Sequence, residues 1–429
     1  MLTREQNELL CRVEGAAPMG GIMRRHWLPV CMSEEVAEKD GAPVKARLVG
    51  IDLVVFRDTD GKLGVLDEHC PHRGASLVFG RNEECGLRCL YHGWKFDVEG
   101  NILEMSSEPD GSALKGSLRQ KSYAVREAGG LVWAWLGPKE EVRGFEPPAW
   151  APQPGIKYAI VKMHVACNWA QVLEGSIDSA HSSSLHSTNM PARQDVHGST
   201  ATDEAWLRPS NDKAPKLQFE PTGYGFRYAA LRKPIKDADT HQYVRTTLFI
   251  APFTVLIPPN NQYNLAQMLV PIDDVNTMFY WIAWHPDPKK GIAQEAWRKF
   301  CAATVGVDLN PDYTKRRNLQ NRFMQDRAAM KRGDFTGIVG IPAQDMAMWE
   351  SMGPIADRSQ DHPGSSDVAV VQFRRMLIAA AKKFQEGGPA IGTLEHPPYA
   401  QLASVERIVP KTTDWRTLGV PAESAVTAK

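Results

Sequence analysis

The sequence predicts an α+β protein of two domains. An N-terminal antiparallel β domain occupies residues 20–145, and a C-terminal domain at 150–429 carries an antiparallel sheet covered by helices. Three observations lead there. Between Trp27 and Gly137 short β-rich runs alternate with turn residues, as in a compact all-β module. Residues 138–155 (P-K-E-E-V-R-G-F-E-P-P-A-W-A-P-Q-P-G) are crowded with Pro and Gly and mark a linker. Beyond it, strand-like runs over 215–285 give way to helical periodicity over 291–385. At 429 residues the chain is long enough for two to three domains.

The leading stretch T-R-E-Q-N-E-L-L-C-R-V-E-G opens on Thr3, a good N-cap, and stops at Gly15, which predicts a short leading helix within residues 1–19. R-L-V-G-I-D-L-V-V-F-R (47–57) and L-G-V-L-D-E-H-C (63–70) then flank the turn D-T-D-G-K. K-F-D-V-E-G-N-I-L (95–103) reads as a hairpin about Glu99-Gly100-Asn101, and S-Y-A-V-R-E with G-L-V-W-A-W-L-G completes the β domain. In the second domain Y-A-I-V-K-M-H-V-A (158–166) alternates like a strand and runs into residues 167–186, where Trp169, Val172, Leu173 and Ile177 turn helix-like. Five strand-like runs between 216 and 284 suffice for one antiparallel sheet. V-A-V-V-Q-F-R-R-M-L-I-A-A-A-K-K-F (368–384) is an amphipathic helix ending before Gly387-Gly388, and the Pro-punctuated tail reads as a surface wrap.

Lys plus Arg and Asp plus Glu number 50 each, so the chain has no net charge and nothing points to nucleic acid or an anionic membrane as partner. No apolar run is long enough to span a bilayer, and M-L-T-R-E-Q-N-E-L-L lacks the apolar core of a secretory signal. The seven cysteines are irregularly spaced; Cys11, Cys31, Cys167 and Cys301 are expected reduced and buried, in a cytoplasmic protein.

The densest chemistry lies in residues 70–96, where C-P-H-R-G-A-S-L and C-L-Y-H-G-W-K-F give Cys70-x-His72 and Cys89-x2-His92. Two thiolates for one iron and two imidazoles for the other is Rieske ligation of a [2Fe–2S] cluster. Gly74 and Gly93 sit where loop backbone must turn tightly beside a ligand. A Cys2His2 zinc site uses the same residue types, but it usually groups its cysteines and its histidines. Here each half supplies one of each, and pairing Cys85 with Cys89 would strand both histidines.

A second grouping, Asp178-x2-His181-x4-His186, offers two imidazoles and a carboxylate, the donor types of the facial triad in non-haem Fe(II) oxygenases. Residues five apart on an ideal helix point about 140° from each other. His181 and His186 can share a metal only if the helix bulges or ends between them. Ser182-Ser183-Ser184, weak helix formers, favour such a break.

Taken with these motifs, the chain resembles the large (alpha) subunits of Rieske non-haem iron aromatic-ring-hydroxylating oxygenases over essentially its whole length. L-D-E-H-C-P-H-R-G-A-S-L and C-L-Y-H-G-W-K-F look like the two cluster loops, and N-W-A-Q-V-L-E-G-S-I-D-S-A-H-S-S-S-L-H looks like the iron-site signature. The likeness is greatest to the phthalate 4,5-dioxygenase group, through M-L-T-R-E, M-R-R-H-W-L-P and F-G-R-N-E-E-C-G-L-R-C. Ala75 and Tyr91 stand where respiratory-type Rieske proteins carry an extra disulfide.

The resemblance implies a helix-grip-like catalytic domain and a mononuclear Fe(II) held by His181, His186 and a downstream Asp. Asp345 in I-P-A-Q-D-M-A-M-W-E matches best, ahead of Asp357 and Asp361. It makes Asp178 an electron bridge between a cluster histidine (His92) and an iron ligand across a subunit boundary, and Asn168 a neighbour of the iron. It also implies O2 as co-substrate, electrons from a flavin and plant-type iron–sulfur reductase, and a homotrimer or a hexamer of stacked trimers.

An aromatic dicarboxylate needs cations in an otherwise apolar pocket, and Arg208 and Arg245 are the candidates. Arg245 lies inside Q-Y-V-R-T-T-L-F-I, where Tyr243, Arg245, Thr247 and Phe249 share one face. The expected reaction is cis-dihydroxylation of phthalate at the 4,5 positions. Related alternatives are hydroxylation of chlorobenzoate, phenoxybenzoate or isophthalate, and demethylation of a methoxybenzoate. A non-catalytic Rieske electron carrier is a remote alternative, which an intact Asp178, His181, His186 and Asp345 set argues against.

Overall fold

A computed structural model describes residues 1–109, 112–151, 155–192, 206–259, 263–287, 289–394 and 397–419. Backbone contacts divide the chain into two compact units, Val13–Phe145 and Met1–Arg12 with Glu146–Lys429. No described helix is long and apolar enough to cross a membrane.

The smaller unit is built from short antiparallel strands in three sheets. Trp27–Met32, Leu131–Trp135 and Ala124–Ala128 form one, and Val44–Leu48, Ile51–Arg57 and Leu63–Asp67 a second. The third is a four-stranded meander of Arg81–Glu83, Gly86–Arg88, Trp94–Phe96 and Ile102–Met105. Val54, Phe56, Leu66, Leu87, Trp94 and Phe96 pack into one buried cluster that also takes in Cys70 and Cys89. Burying these side chains contributes roughly 1.5–3 kcal/mol each, and the same core holds the feet of both cysteine loops.

The larger unit centres on an eight-stranded sheet, antiparallel in every pairing. Its order is Lys157–Val165, Thr277–His285, Asn264–Pro271, Thr254–Ile257, His241–Ile250, Gly225–Arg232, Lys216–Thr222. The eighth strand, Glu406–Pro410, comes from the tail and pairs with His241–Arg245, while Thr254–Ile257 pairs with Leu248–Ile250 of the same strand. The expected surface wrap is therefore part of the sheet. Alternation sends Ala229 and Val244 to one face, where Val409 and Trp415 bury them, and Tyr228, Arg245 and Thr247 to the other.

Three helices matter to that second face. Trp169–Ser176 packs on the Asn264–Pro271 strand and on Ile341–Ser351, which is buried on nearly every side. Val368–Gln385 buries Ala369, Phe373, Leu377 and Ala381, an i, i+4 stripe. The leading helix corrects the expectation on two counts. It spans only Arg4–Cys11, capped by a Thr3–Gln6 box, and a second helix, Pro18–Arg24, follows Gly15. It also belongs with the larger unit, because its buried Asn7 donates to the Ala356 carbonyl and Leu2 N–H to that of Arg358.

Candidate metal centres

The two cysteine loops repeat one backbone design. In the first, Cys70 N–H donates to Ala75 O and Gly74 N–H to Cys70 O; in the second, Cys89 N–H donates to Trp94 O and Gly93 N–H to Cys89 O. Gly74 and Gly93 hold φ of +76° and +74°, left-handed values that only glycine adopts at no cost. A Cβ on Gly93 would also sit 2.9 Å from Ser106 Oγ.

Each loop tucks its thiol inward and leaves its imidazole half-buried. His72 and His92 face each other with ring centroids 4.4 Å apart, and Trp94 stacks on His72 at 4.6 Å. Burial above all, with the facing Cys89, pushes the Cys70 thiol up to about 11, although the N–H groups of His72 and Arg73 work the other way. Two such thiolates need cations between them. Burial, then His72 and Arg73, lowers the His92 pKa and keeps the ring neutral, as a metal ligand must be. A single tetrahedral zinc would draw its donors within about 4 Å of one another. Among the described residues no three of these four donors gather within 4.8 Å. Thiol pairs with thiol and imidazole with imidazole, which fits two irons.

In the larger unit Asn168 caps the Trp169–Ser176 helix, which ends at Ile177, and His181 opens a separate 3-10 turn, His181–Ser183. That break lets residues five apart converge. His181 Nε2 lies 3.4 Å and His186 Nε2 3.0 Å from Asp345 Oδ1, an atom that is buried and has no hydrogen-bond partner among the described residues. An orphaned carboxylate oxygen facing two imidazoles fits a cation of iron's size, with two nitrogens and one oxygen as donors. Asp345 reaches the site because Pro342 starts the Ile341–Ser351 helix one turn earlier.

The outer nitrogens of the two rings are held differently. His181 Nδ1 is 3.3 Å from Asp178 Oδ2, while Asp178 Oδ1 accepts from Ala180 N–H. Burial opposes charge on both groups, yet their neighbours outweigh it: His181 holds Asp178 below its ordinary pKa, and Asp178 with Asp345 holds His181 above. His186 Nδ1 instead donates to Gln344 Oε1 at 2.8 Å, and Gln344 Nε2 donates to Asn189 Oδ1 and Ile338 O, both at 2.9 Å. Either partner fixes a ring so that Nε2 faces the metal.

A cavity opens beside these ligands, lined by Tyr228, Arg245, Thr247, Gln267, Trp281 and Trp349 among others. Arg245 sits 3.6 Å from Glu406, which also accepts from Tyr243 Oη. Burial works against this guanidinium, but Glu406 and Tyr243 more than offset it and raise its pKa. Arg208 does not line the cavity: its Nη atoms donate to Ser183 and Ser182 at 3.0 and 2.9 Å, and Ser182 forms the wall.

Asn168 also departs from expectation. Its amide donates to Cys11 O and Asp274 O and accepts from Ala170 N–H, so it clamps the helix start and is not brought to the metal ligands. Asp357 closes a local turn with Ser359, and Asp361 pairs with Arg374. Sequence reasoning missed Gln344, although it adjoins Asp345, and Glu406, which lies far along the tail and carries no local signal.

A cysteine–histidine cluster domain joined to a His/His/Asp metal site defines a two-centre iron oxygenase. The Rieske [2Fe-2S] domain family matches residues 26–120, and the family described as LigXa C-terminal domain like matches 134–429. The chain is 58% identical to the phthalate 4,5-dioxygenase oxygenase subunit of Pseudomonas putida, over 97% of this chain and 94% of that one. It is 34% identical to the 3-chlorobenzoate-3,4-dioxygenase oxygenase subunit of Comamonas testosteroni, over 97% and 98%. Among solved structures, the NdmA QL mutant of Pseudomonas putida CBB5 with caffeine shares the fold at a TM-score of 0.59 and 18% identity, covering 87% of this chain and 95% of that one. The chain belongs to the Rieske non-haem iron oxygenases, as an oxygenase subunit that uses a [2Fe–2S] cluster and a mononuclear iron.

Proposed function

We propose that the protein is the oxygenase component of a phthalate 4,5-dioxygenase, adding both atoms of O2 across the ring of phthalate to give a cis-dihydrodiol. The observation that carries the substrate reading is Arg245, half-buried on the cavity wall beside the converging His181, His186 and Asp345. A planar guanidinium there offers a carboxylate two-point pairing. The relative of 58% identity named for phthalate supports the same ring acid.

We assign Cys70, His72, Cys89 and His92 to the cluster and His181, His186 and Asp345 to the mononuclear iron. When bound, these centres supply stored electrons and O2 activation. The residues around them do the positioning. Asp178 and Gln344 hold the two rings, Arg208 braces Ser182 and Ser183, and Tyr228, Thr247 and Trp281 shape the wall on which the substrate ring lies. Electrons come from a separate flavin and plant-type iron–sulfur reductase. In a cyclic trimer, alone or stacked as a hexamer, the half-buried His92 of one copy would meet Asp178 of its neighbour, and Asp178 would link the two rings.

A single turnover tests this reading. The cluster is reduced chemically, phthalate and O2 are added, and the product is analysed by mass spectrometry. A 4,5-cis-dihydrodiol is expected; cluster oxidation without product, with 3-chlorobenzoate turned over instead, would overturn the substrate assignment.

A further inference from the structure

We propose that Arg232 is a specificity determinant for doubly charged substrates, a third positive charge behind the cavity wall that leaves the described residues of the site two charges in excess. The inference rests on the dicarboxylate reading above and deepens it.

Strand register places the residue. In the pairing of Gly225–Arg232 with His241–Ile250, Tyr228 stands opposite Thr247, Ala230 opposite Arg245 and Arg232 opposite Tyr243. Tyr228, Arg245 and Thr247 line the cavity, so alternation puts Arg232 on the same face, one pair beyond Arg245. Arg232 is 2% exposed. Its Nη2 donates at 2.7 Å to the carbonyl of Ser179, a residue of the cavity wall, and its Nε and Nη1 have no hydrogen-bond partner among the described residues.

The surrounding charges do not cancel. Arg208, also buried, spends its Nη donors on two serine hydroxyls and the Met190 sulfur, all uncharged, and its Nε has no partner among the described residues. Among the described residues, Arg245 alone of the three has a carboxylate, Glu406. Burial, then Arg245, lowers Arg208 to about 9 and also lowers Arg232. The acid nearest in effect to Arg232, Asp212, is half-buried and already accepts from the N–H groups of Ala214 and Lys233. Asp178 and Asp345 face the two histidines, where a divalent iron would offset them.

Among the described residues, three guanidiniums set against Glu406 therefore leave two positive charges in a site largely withdrawn from water. A guanidinium does not shed its proton at neutral pH, and an unpaired buried charge is costly. A dianion closes this inventory, whereas a monoanion leaves one charge over. Arg232 makes few polar contacts of its own, so its effect acts through space and grows with the charge of the ligand.

The test is calorimetric binding of phthalate and of benzoate to the iron-loaded holoenzyme under anaerobic conditions with the cluster oxidised, where no turnover occurs. Wild type is expected to prefer phthalate. In Arg232→Met the phthalate Kd rises about tenfold and the benzoate Kd only about threefold, while Arg232→Lys keeps the preference. Equal changes for both ligands, or none, would overturn the proposal. Should Arg232→Met fail to fold or hold iron, Glu406→Gln carries the test. It removes the site's negative charge and keeps an acceptor for Tyr243, so the preference for phthalate should rise; an unchanged or lower preference overturns the proposal. A wild type that binds benzoate as well as phthalate would instead sink the dicarboxylate reading itself.

Discussion

The proposed cluster ligands come from residues 70–92, whereas the proposed mononuclear site takes His181 and His186 from one segment and Asp345 from a helix far along the chain. The first is a local device. Two loops with the same backbone bonds and the same left-handed glycine carry their geometry within themselves and need only the hydrophobic core beneath them. The second is a tertiary device. It depends on the Trp169–Ser176 helix ending on time, on the Ile341–Ser351 helix being pressed against it, and on Gln344 reaching across to His186. Damage should therefore stay confined in the first and spread in the second.

The largest effect expected is Cys89→Ser, which removes a thiolate that backbone N–H groups cannot replace. The visible and EPR signals of the cluster should vanish while the mononuclear site still binds Fe(II). Loss of both metals would break the distinction between the sites. Gln344→Leu should weaken Fe(II) binding by the apoprotein about 10–100-fold, because His186 loses the acceptor that sets its tautomer, and should leave the cluster spectrum alone. Gly175→Ala sharpens the tertiary half. A Cβ there would lie 2.0 Å from Trp349 Nε1, forcing the Ile341–Ser351 helix that carries Asp345 away from the Trp169–Ser176 helix that leads into the His181 turn. Thermal unfolding should show a loss of about 1–3 kcal/mol, accompanied by lower iron occupancy.

The smallest effect is a pH dependence in the larger unit. Burial opposes charge on Glu174, but Arg358 and Arg374 outweigh it and hold its carboxyl below the ordinary value. A depressed folded pKa means that the pair's contribution is complete above the ordinary carboxyl range and is lost as pH falls through the folded value. Denaturant unfolding should therefore show stability dropping on that acid side, and Glu174→Gln should flatten this part of the curve.

The same contrast explains what could be read from residues alone. The cysteine and histidine spacing, the two glycines and the strand runs between 216 and 284 are local signals, and each points to the element it forms. His181 and His186 were legible only with the condition that the helix must break, which Ile177 and the 3-10 turn meet. Glu406 was illegible, because a strand inserted from the tail leaves no pattern beside the strand it joins. Asn168 misled for the opposite reason: its position in a known signature pointed to the iron, while its amide is consumed in capping the helix. The wall role of Arg208 belongs to Ser182, a distinction that side-chain type alone does not carry.

Two iron centres that can be lost separately are tested most directly by iron and sulfide analysis with EPR of the reduced protein. Wild type should contain about three irons per two sulfides, and Asp345→Ala about two irons per two sulfides with an unchanged cluster signal. A variant that keeps its third iron, or that loses the cluster signal with it, would contradict the account.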